Sequence, residues 1–416
     1  MAGTWYKVDN VAKVFLASNS HRDPRVFRVS CTLNEPIDPA ALDLALARTV
    51  RELPDFQVTL HRGLFWHYLE STNKRPVATP EDKPPCAPIY GADLKNELLY
   101  RVSYYESRIN VEMFHALCDG NGGMLFLRVL VHNYLLQRHP AEMAGVPRQE
   151  GSSAADRAQD SFQKFYGRKK SASKGNKKIY RIHGLRLPYQ QSQFFEAHLS
   201  TRAVLAQAHA LGVSLTSYLS AVLLRAIYSE MSALERGRPV VIDMPVNLRN
   251  YYPSDTIRNF FNSVQVAHTF TGQETLGEIA KDFDAKLKEV LSAESVQARM
   301  DGFEKLEQMP GLKPIPLFLK NYFVAFFNWL GSRNMTATIS NMGRIQVPQG
   351  VRSYINSFSS FCSSEKLFTV VCSYGDDLVL GTTSPYRSTN VMKEFYRSLA
   401  EAGLEVTLYA TEVVNL

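Results

Sequence analysis

The sequence lacks the features that mark several large classes of protein. Its five cysteines form no Cys-x-x-Cys pair, so neither a disulfide framework nor a zinc site is predicted. The N-terminal segment has no apolar stretch of the kind found in secretory signals. The most apolar long run, residues 317–330, is interrupted by Lys320, Asn321 and Asn328 and is too short to span a bilayer. These absences predict a cytoplasmic protein without a transmembrane segment or a bound metal, and we expect a monomer.

Common catalytic signatures are absent as well. The chain contains no Gly-x-Ser-x-Gly elbow, no Walker loop, no Gly-x-Gly-x-x-Gly and no His-Glu-x-x-His. It also has no zinc finger and no RNP-type aromatic motif, so a nucleic-acid partner is not expected. The sequence therefore offers no support for a serine hydrolase of the elbow type, a P-loop enzyme, a dinucleotide-binding dehydrogenase or a zinc protease.

The formal net charge of +7 is unevenly distributed. Residues 161–186 hold nine Lys or Arg and no acid, so the rest of the chain carries about −2. Such a cluster could attract nucleic acid, membrane phosphates, a CoA phosphate or an acidic carrier protein, and Lys169 and Lys170 are the candidate residues for binding such a cofactor. A solvated linker is the alternative, because most charge runs are solvated surface.

Local patterns predict an α+β fold in two halves. With 416 residues, 45% of them hydrophobic, the chain can bury a large core. Asp38 and Pro39 predict a helix start, with Asp as N-cap and Pro at the first helical position. The other elements expected in the first half are strands at 25–33, 56–60 and 64–69, a Pro-rich loop at 76–88, a hairpin of 98–105 with 109–114, and a buried helix at 124–136.

The second half repeats this mixed style. Ser200 is expected to cap a helix that ends near Gly212, and a second, apolar helix covers 216–231. Strands are predicted at 240–246, 336–341, 368–374, 378–383 and 405–409, with a helix at 390–402. The resulting division is a first subdomain at 1–145, a basic crossover linker at 146–190 and a second subdomain at 191–416.

A histidine and an aspartate flank a tight turn in the run Phe-His-Ala-Leu-Cys-Asp-Gly, residues 114–120. In the preceding strand apolar and polar residues alternate, and this period of two places His115 on the apolar face. A buried imidazole beside the Asp119 carboxylate needs hydrogen-bond partners or a chemical role. An isolated histidine would more simply be a satisfied core residue, but Asp119 and the glycines that follow it favour a functional site.

The pattern His115-x-x-x-Asp119-Gly120 resembles the signature of chloramphenicol acetyltransferase-like enzymes. These include plant BAHD acyltransferases, nonribosomal condensation domains, polyketide-associated acyltransferases and fungal alcohol acetyltransferases. The context is similar as well, since a strand precedes the motif and a buried helix follows it. The further segments that resemble the family are residues 37–69, 212–216, 245–249 and 258–262.

The sequence departs from the family pattern at two places. Phe114 stands where many condensation domains have a second histidine. The Asp-Phe-Gly-Trp-Gly motif of BAHD enzymes is absent, and Ser-Asn-Met-Gly-Arg at 340–344 stands near its expected position. These departures argue against a plant-type enzyme and favour the alcohol-acetyltransferase-like or condensation-like branch.

The resemblance implies two chloramphenicol-acetyltransferase-like subdomains, each a mixed β-sheet with flanking helices, and an active-site tunnel between them. It implies that His115 is a general base, which takes a proton from a hydroxyl or amine as that group attacks a thioester, without an acyl-enzyme. Asp119 would be structural and paired with Arg249, with Arg258 as the reserve candidate. Cys118, although close to His115, is expected to be a packing residue and not a nucleophile.

The tetrahedral oxyanion of such a reaction needs a hydrogen-bond donor. Asn341, Ser340 or nearby backbone N–H groups are the candidates, and Asn341 could equally be a turn residue at a strand end. The expected donor is acyl-CoA as a co-substrate, with no permanently bound cofactor, and the acceptor is a small alcohol or amine. A condensation-like enzyme that uses an acidic carrier protein, and a binding protein without activity on the same scaffold, remain the alternatives.

The run at residues 317–330 is unusually aromatic for a helical segment. It could line or cover the tunnel, or lie on a membrane surface as a lid for a lipid-like acceptor. The simplest alternative is ordinary packing in the core, because most apolar runs are buried.

Overall fold

The computed structural model describes residues 4–89, 96–147, 178–188, 191–307 and 315–411, without side chains for 302–307. The helices in these ranges are α1 (Asn10–Ser18), α2 (Pro39–Glu52), α3 (Gly120–Arg138), α4 (Thr201–Ala210), α5 (Leu215–Ser229), α6 (Leu276–Val290), α7 (Ala293–Glu307), α8 (Leu317–Ser332) and α9 (Asn390–Glu401). The strands are β1 (Trp5–Lys7), β2 (Val26–Leu33), β3 (Val58–Arg62), β4 (His67–Ser71), β5 (Ala78–Pro80), β6 (Tyr100–Tyr105), β7 (Arg108–Phe114), β8 (Gln193–Ser200), β9 (Val240–Asn247), β10 (Phe261–His268), β11 (Ala337–Arg344), β12 (Ile355–Cys362), β13 (Leu367–Tyr374), β14 (Asp377–Ser384) and β15 (Thr407–Ala410).

The first lobe is built on a five-stranded sheet in the order β12-β2-β7-β6-β5. Helix α3 packs on β2 and β7, and α2 packs on α3, so that the helices cover one face of the sheet. A small three-stranded sheet, β1-β4-β3, lies beside these elements. Leu42, Val111 and Leu127 are completely buried at the centre of this core. This core holds in place the end of β7, where the histidine motif begins.

The second lobe is built on a seven-stranded mixed sheet in the order β10-β9-β11-β13-β14-β8-β15. The apolar helix α5 packs against α6 and α9, and its buried residues form the centre of the second core. The pairing of β11 with β13 is parallel, whereas β13 with β14 and β14 with β8 are antiparallel. Each lobe is therefore a mixed sheet with flanking helices, as the sequence predicted.

The two lobes are joined by a strand as well as by side chains. Strand β12 belongs to the second half of the sequence, yet it pairs antiparallel with β2 and forms one edge of the first sheet. Arg108 on β7 donates two hydrogen bonds, of 2.6 and 3.0 Å, to the carboxylate of Glu196 on β8. The predicted boundaries of the subdomains stay a prediction, since most of the 146–190 linker lies outside the described residues.

Most elements with a clear local pattern are where the sequence places them. Asp38 caps α2 and Ser200 caps α4, each through its side chain, and the hairpins β6–β7 and β13–β14 are present. The expectation that residues 76–88 are only a loop was wrong, because β5 pairs in parallel with β6. Three long strands, β8, β10 and β12, were missed, because their polar residues interrupt the apolar pattern.

The aromatic run at 317–330 forms the helix α8, which packs against α1. Only Leu317 of this helix is buried, so the alternative of ordinary core packing was wrong. That the run lines or covers a substrate tunnel stays a prediction. Among the residues described above, no single helix has the length and hydropathy to cross a membrane. The helices α4 and α5 pass that test only when taken together, and they are bent by 82°.

Candidate active site

His115 follows directly after β7 and lies between the two lobes. Its backbone N–H donates to the carbonyl oxygen of Arg25, just before β2, at 2.8 Å. Its ring lies among three phenylalanines, with centroid distances of 4.5 Å to Phe15 on α1, 4.8 Å to Phe27 on β2 and 5.9 Å to Phe261 on β10. Apolar rings from three different elements therefore surround the imidazole.

The strand that carries His115 is buried on both faces, and not only on the apolar face that the alternation suggested. Glu112 is 1% exposed and accepts hydrogen bonds from Arg28 at 3.0 Å and Arg101 at 2.7 Å. A buried carboxylate of this kind is stable only because it is paired. The charge on the polar face of β7 is thus neutralised by ion pairs. His115, just after the end of the strand, has no ion-pair partner among the described residues.

Asn259 is the hydrogen-bond partner of the imidazole. Its Oδ1 lies 3.2 Å from His115 Nδ1, and its Nδ2 donates to the His115 carbonyl at 2.9 Å and to Asp9 Oδ2 at 3.1 Å. Both of those partners accept hydrogen bonds, so the amide nitrogen must face them and the amide oxygen must face the ring. Nδ1 therefore carries the ring proton, and Nε2 carries the lone pair.

Burial among the aromatic rings also controls the charge of the imidazole. Desolvation lowers the pKa of His115 below its ordinary value of 6.5, against the opposing effects of the Asn259 hydrogen bond and of Asp119. Within the described ranges, Nε2 makes no hydrogen bond. At neutral pH the site thus presents a neutral imidazole with Nε2 available as a base.

Asp119 caps the helix that follows the motif. Its Oδ1 accepts from the backbone N–H of Gly122 at 3.1 Å, which is a standard N-cap contact for α3. Its Oδ2 accepts from Arg249 Nη1 at 2.7 Å and from the backbone N–H of Phe260 at 3.1 Å. The carboxylate is 4% exposed, and both of its oxygens are bonded to protein groups.

Arg249, which the resemblance nominated as the partner of Asp119, is in contact with it. The guanidinium also donates to the carbonyl oxygens of Thr256 at 2.7 Å and of Arg258 at 2.9 Å, so it fixes the segment that leads to Asn259. The reserve candidate, Arg258, donates instead to the Leu117 carbonyl at 2.9 Å. The Asp119–Arg249 pair therefore connects the motif turn to the segment that holds the imidazole.

Two glycines of the motif turn are required by close approach. A Cβ on Gly122 would lie 2.6 Å from the carbonyl oxygen of Ile257, and a Cβ on Gly123 would lie 2.5 Å from Phe27 Cε2. Both distances are shorter than real side-chain contacts allow. Phe27 itself packs against the His115 ring, so the absence of a side chain at Gly123 allows Phe27 to occupy this position. Gly120, the last residue of the motif, is the first residue of α3 and lies beside Met342.

The oxyanion candidates lie on β11. Asn341 accepts from the backbone N–H of Gly343 at 2.8 Å and donates to Thr216 Oγ1 at 2.9 Å, so it makes the contacts of a turn residue and joins β11 to α5. Ser340 is half-buried on the same strand. Cys118 is buried, and burial raises the pKa of its thiol well above the ordinary value, which fits a packing role. Lys169 and Lys170 lie outside the described residues.

A cavity of about 370 Å³ opens beside the N-terminal end of α3. Arg128, Arg249, Arg344 and Asp255 are among the charged residues that line it, and His115 is not a lining residue. The cavity therefore lies on the Asp119 side of the motif turn. The expected tunnel through His115 stays a prediction.

Comparison with known proteins gives one family match and many similar structures. Residues 186–367 match the family model described as the C-terminus of phthiocerol/phthiodiolone dimycocerosyl transferase. The matched segment covers less than half of the chain. It contains Arg249, Asn259 and Asn341 and omits the histidine motif. A search of the curated proteins found no match to the sequence.

Three solved structures illustrate the likeness in fold. Polyketide synthase associated protein 5 from Mycobacterium tuberculosis aligns with a TM-score of 0.63 at 15% identity, over 94% of this chain and 96% of that one. The first condensation domain of the CDA synthetase gives 0.63 at 14%, over 97% of each chain. TRI101 of F. sporotrichioides, complexed with coenzyme A and T-2, gives 0.64 at 11%, over 97% and 99%. At such low identity the likeness establishes the fold.

Proposed function

The chain has the fold of the chloramphenicol acetyltransferase-like and condensation-domain superfamily, and on that premise we propose that it transfers an acyl group from a thioester to an alcohol or amine, with His115 as the general base. The observation that carries the proposal is the protonation state of His115. Asn259 holds the proton on Nδ1, and burial lowers the pKa of the ring, so that Nε2 is an unprotonated base at neutral pH.

The reaction proceeds in one addition and one elimination. Nε2 of His115 takes the proton of the acceptor hydroxyl or amine as that atom forms a bond to the thioester carbonyl carbon. The tetrahedral intermediate then collapses, the carbon–sulfur bond breaks, and the thiolate receives the proton from the imidazolium. No covalent acyl-enzyme forms, which agrees with the buried, high-pKa thiol of Cys118 beside the site.

Asp119 has a structural role in this mechanism. Both of its oxygens are occupied by Gly122, Arg249 and Phe260, so it does not exchange protons with a substrate. Asn341 and Ser340 remain the candidates for stabilising the oxyanion, together with backbone N–H groups. If Asn341 supplies that donor, then Asn341→Ala lowers kcat about 100-fold, whereas a turn residue that only stabilises β11 affects the melting temperature instead.

The donor is proposed to be acyl-CoA. Support comes from TRI101, which shares the fold and was solved with coenzyme A. The basic run that includes Lys169 and Lys170 is the proposed contact for the phosphates of the donor. Reversing those two charges raises the Michaelis constant for the donor with little change in kcat, and the effect weakens in high salt. A cytoplasmic location stays a prediction.

The test is incubation of the protein with acetyl-CoA and longer acyl-CoAs across a panel of alcohols and amines, with the products identified by mass spectrometry. The expected result is an ester or amide whose formation falls about 100- to 10,000-fold in His115→Ala. A variant that folds normally and retains the wild-type rate contradicts the proposed base. A wild type that is active only with an acyl carrier protein supports the condensation-like alternative, and binding without turnover supports a non-enzymatic protein.

A further inference from the structure

Helix α8 turns its apolar side away from the protein. Its outward residues are six aromatics and two leucines, each between 41 and 70% exposed. The aromatics are Phe318, Tyr322, Phe323, Phe326, Phe327 and Trp329. At 3.6 residues per turn these positions cover about half of the helix circumference. A surface helix of a globular protein normally has the opposite arrangement, with its apolar side in the core.

The side of α8 that is less exposed is the more polar one. Asn321 and Asn328 lie on this side, together with Ala325, and the helix packs against α1. The core side has Leu317 and Val324 as its larger apolar residues, whereas all six aromatic side chains lie on the outward side. The outward side chains are available for a partner, and contiguous exposed apolar patches often mark interaction surfaces.

The turn between β3 and β4 extends the same surface. Leu64 is 71% exposed and Trp66 is 62% exposed. The turn is bonded to the start of α8, since the Leu317 N–H donates to the Leu64 carbonyl at 2.9 Å and Lys320 donates to the Phe65 carbonyl at 3.3 Å. The outward side of α8 and this turn are called the aromatic surface below.

The stretch of sequence that contains α8 carries charged residues of one sign. Residues 308–364 contain five Lys or Arg and no Asp or Glu. Lys320 lies near the start of α8, and Arg333 at its end lies 4.6 Å above the Trp329 ring. Arg181 in turn donates to the Arg333 carbonyl at 3.3 Å. Aromatic side chains with basic residues at both ends are suited to the boundary between lipid headgroups and acyl chains.

We propose that the aromatic surface docks the protein onto the surface of an anionic phospholipid bilayer. The six aromatic rings enter the headgroup boundary, and Lys320 and Arg333 lie against the lipid phosphates. A second copy of the chain is a poorer occupant, because two such surfaces face to face bring like charges together. The binding is peripheral, and it is independent of whether the protein transfers acyl groups.

The test is flotation of the whole protein with vesicles of phosphatidylcholine, with and without phosphatidylserine. The wild type is expected to float with the phosphatidylserine vesicles. The double variant Phe323→Ser/Phe327→Ser is expected to bind these vesicles at least about tenfold more weakly. Both side chains are exposed, so the variant should keep the wild-type melting temperature. Leu234→Ser is the matched control, because Leu234 is 95% exposed but lies on the loop between α5 and β9.

Tryptophan fluorescence gives a second readout of the orientation. Trp329 and Trp66 should shift to the blue on adding phosphatidylserine vesicles and should be quenched by brominated lipid, and Trp329→Phe should weaken that response. Failure of the wild type to float with either vesicle overturns the proposal. Flotation of the double serine variant at the wild-type level overturns it too. So does sedimentation of the wild type as a dimer that the double variant converts to monomer, which would assign the surface to a second copy.

Discussion

Asn259 and His115 are held together by two hydrogen bonds of opposite direction. His115 Nδ1 donates to the amide oxygen at 3.2 Å, and the amide nitrogen donates to the His115 carbonyl at 2.9 Å. Asp9, the N-cap of α1, accepts from the same amide nitrogen and so prevents the amide from turning over. The three residues come from sequence positions far apart, and together they specify one tautomer of the imidazole.

Asn259→Ala should therefore lower kcat about 100-fold, the lower end of what a general base contributes, because the imidazole remains but its proton is no longer held on Nδ1. Nitrogen NMR of the labelled histidine should show the proton on Nδ1 in the wild type and a mixture of tautomers in the variant. A wild type with its proton on Nε2 would contradict the assignment, whatever the kinetics of the variant.

The pH dependence of activity should follow the lowered pKa of His115. Burial disfavours the imidazolium, so the base stays unprotonated down to a pH below 6.5, and kcat/KM should remain on its plateau until that lower pKa is reached. Phe15→Ala removes one of the covering rings, admits water and should move the acid limb of the profile upward. An inflection above 6.5 in the wild type would show that burial does not govern this group.

Asp119 and Arg249 should behave as one interaction in measurements of stability. Removing either partner leaves the other charge buried, so Asp119→Asn and Arg249→Ala should each lower the free energy of unfolding by about 3 kcal/mol. Urea denaturation of the two single variants and the double variant forms the cycle, and the double variant should lose less than the sum. Strictly additive losses would mean that the 2.7 Å contact contributes nothing on its own.

Gly123→Ala should damage the site through Phe27. The added methyl group overlaps Phe27 Cε2, and the Phe27 ring packs against His115, so kcat should fall. The free energy of unfolding should decrease by about 1–3 kcal/mol. Phe27→Leu in the same chain makes room for the methyl group and should restore part of the stability. Kinetics of the single and double variants check this, and no rescue of stability by Phe27→Leu would argue against the clash.

The parts of the fold that could be predicted from sequence are those with a strong local signal. The capped helix at Pro39, the β6–β7 hairpin and the helix after Gly120 each have a period or a cap that is readable within a few residues. The likeness to the superfamily, inferred from the motif, is confirmed by the folds that the chain resembles. These signals are enough to predict two lobes and to place His115 at the end of a buried strand.

The remaining features depend on contacts that no local pattern records. Asn259 lies 144 residues from His115, and nothing in its neighbourhood marks it as the partner of the ring. The serines of β12 interrupt the apolar pattern that would predict a strand. Its pairing with β2 is not predictable from local sequence either, because β2 precedes it by more than 300 residues. The outward direction of the apolar side of α8 could not be predicted from the sequence either. An apolar stripe shows which residues share one side of a helix, but not whether that side faces the core or the solvent.

The position of β12 has a consequence for the order in which the protein acquires its structure during synthesis. The chain leaves the ribosome from its N-terminus, and the first 145 residues emerge with β2 still an open edge. That edge stays unpaired until residue 362 has been made, when most of the 416 residues are already outside. An exposed edge strand invites pairing with other chains, so a nascent chain that stalls before β12 should be a target for chaperones.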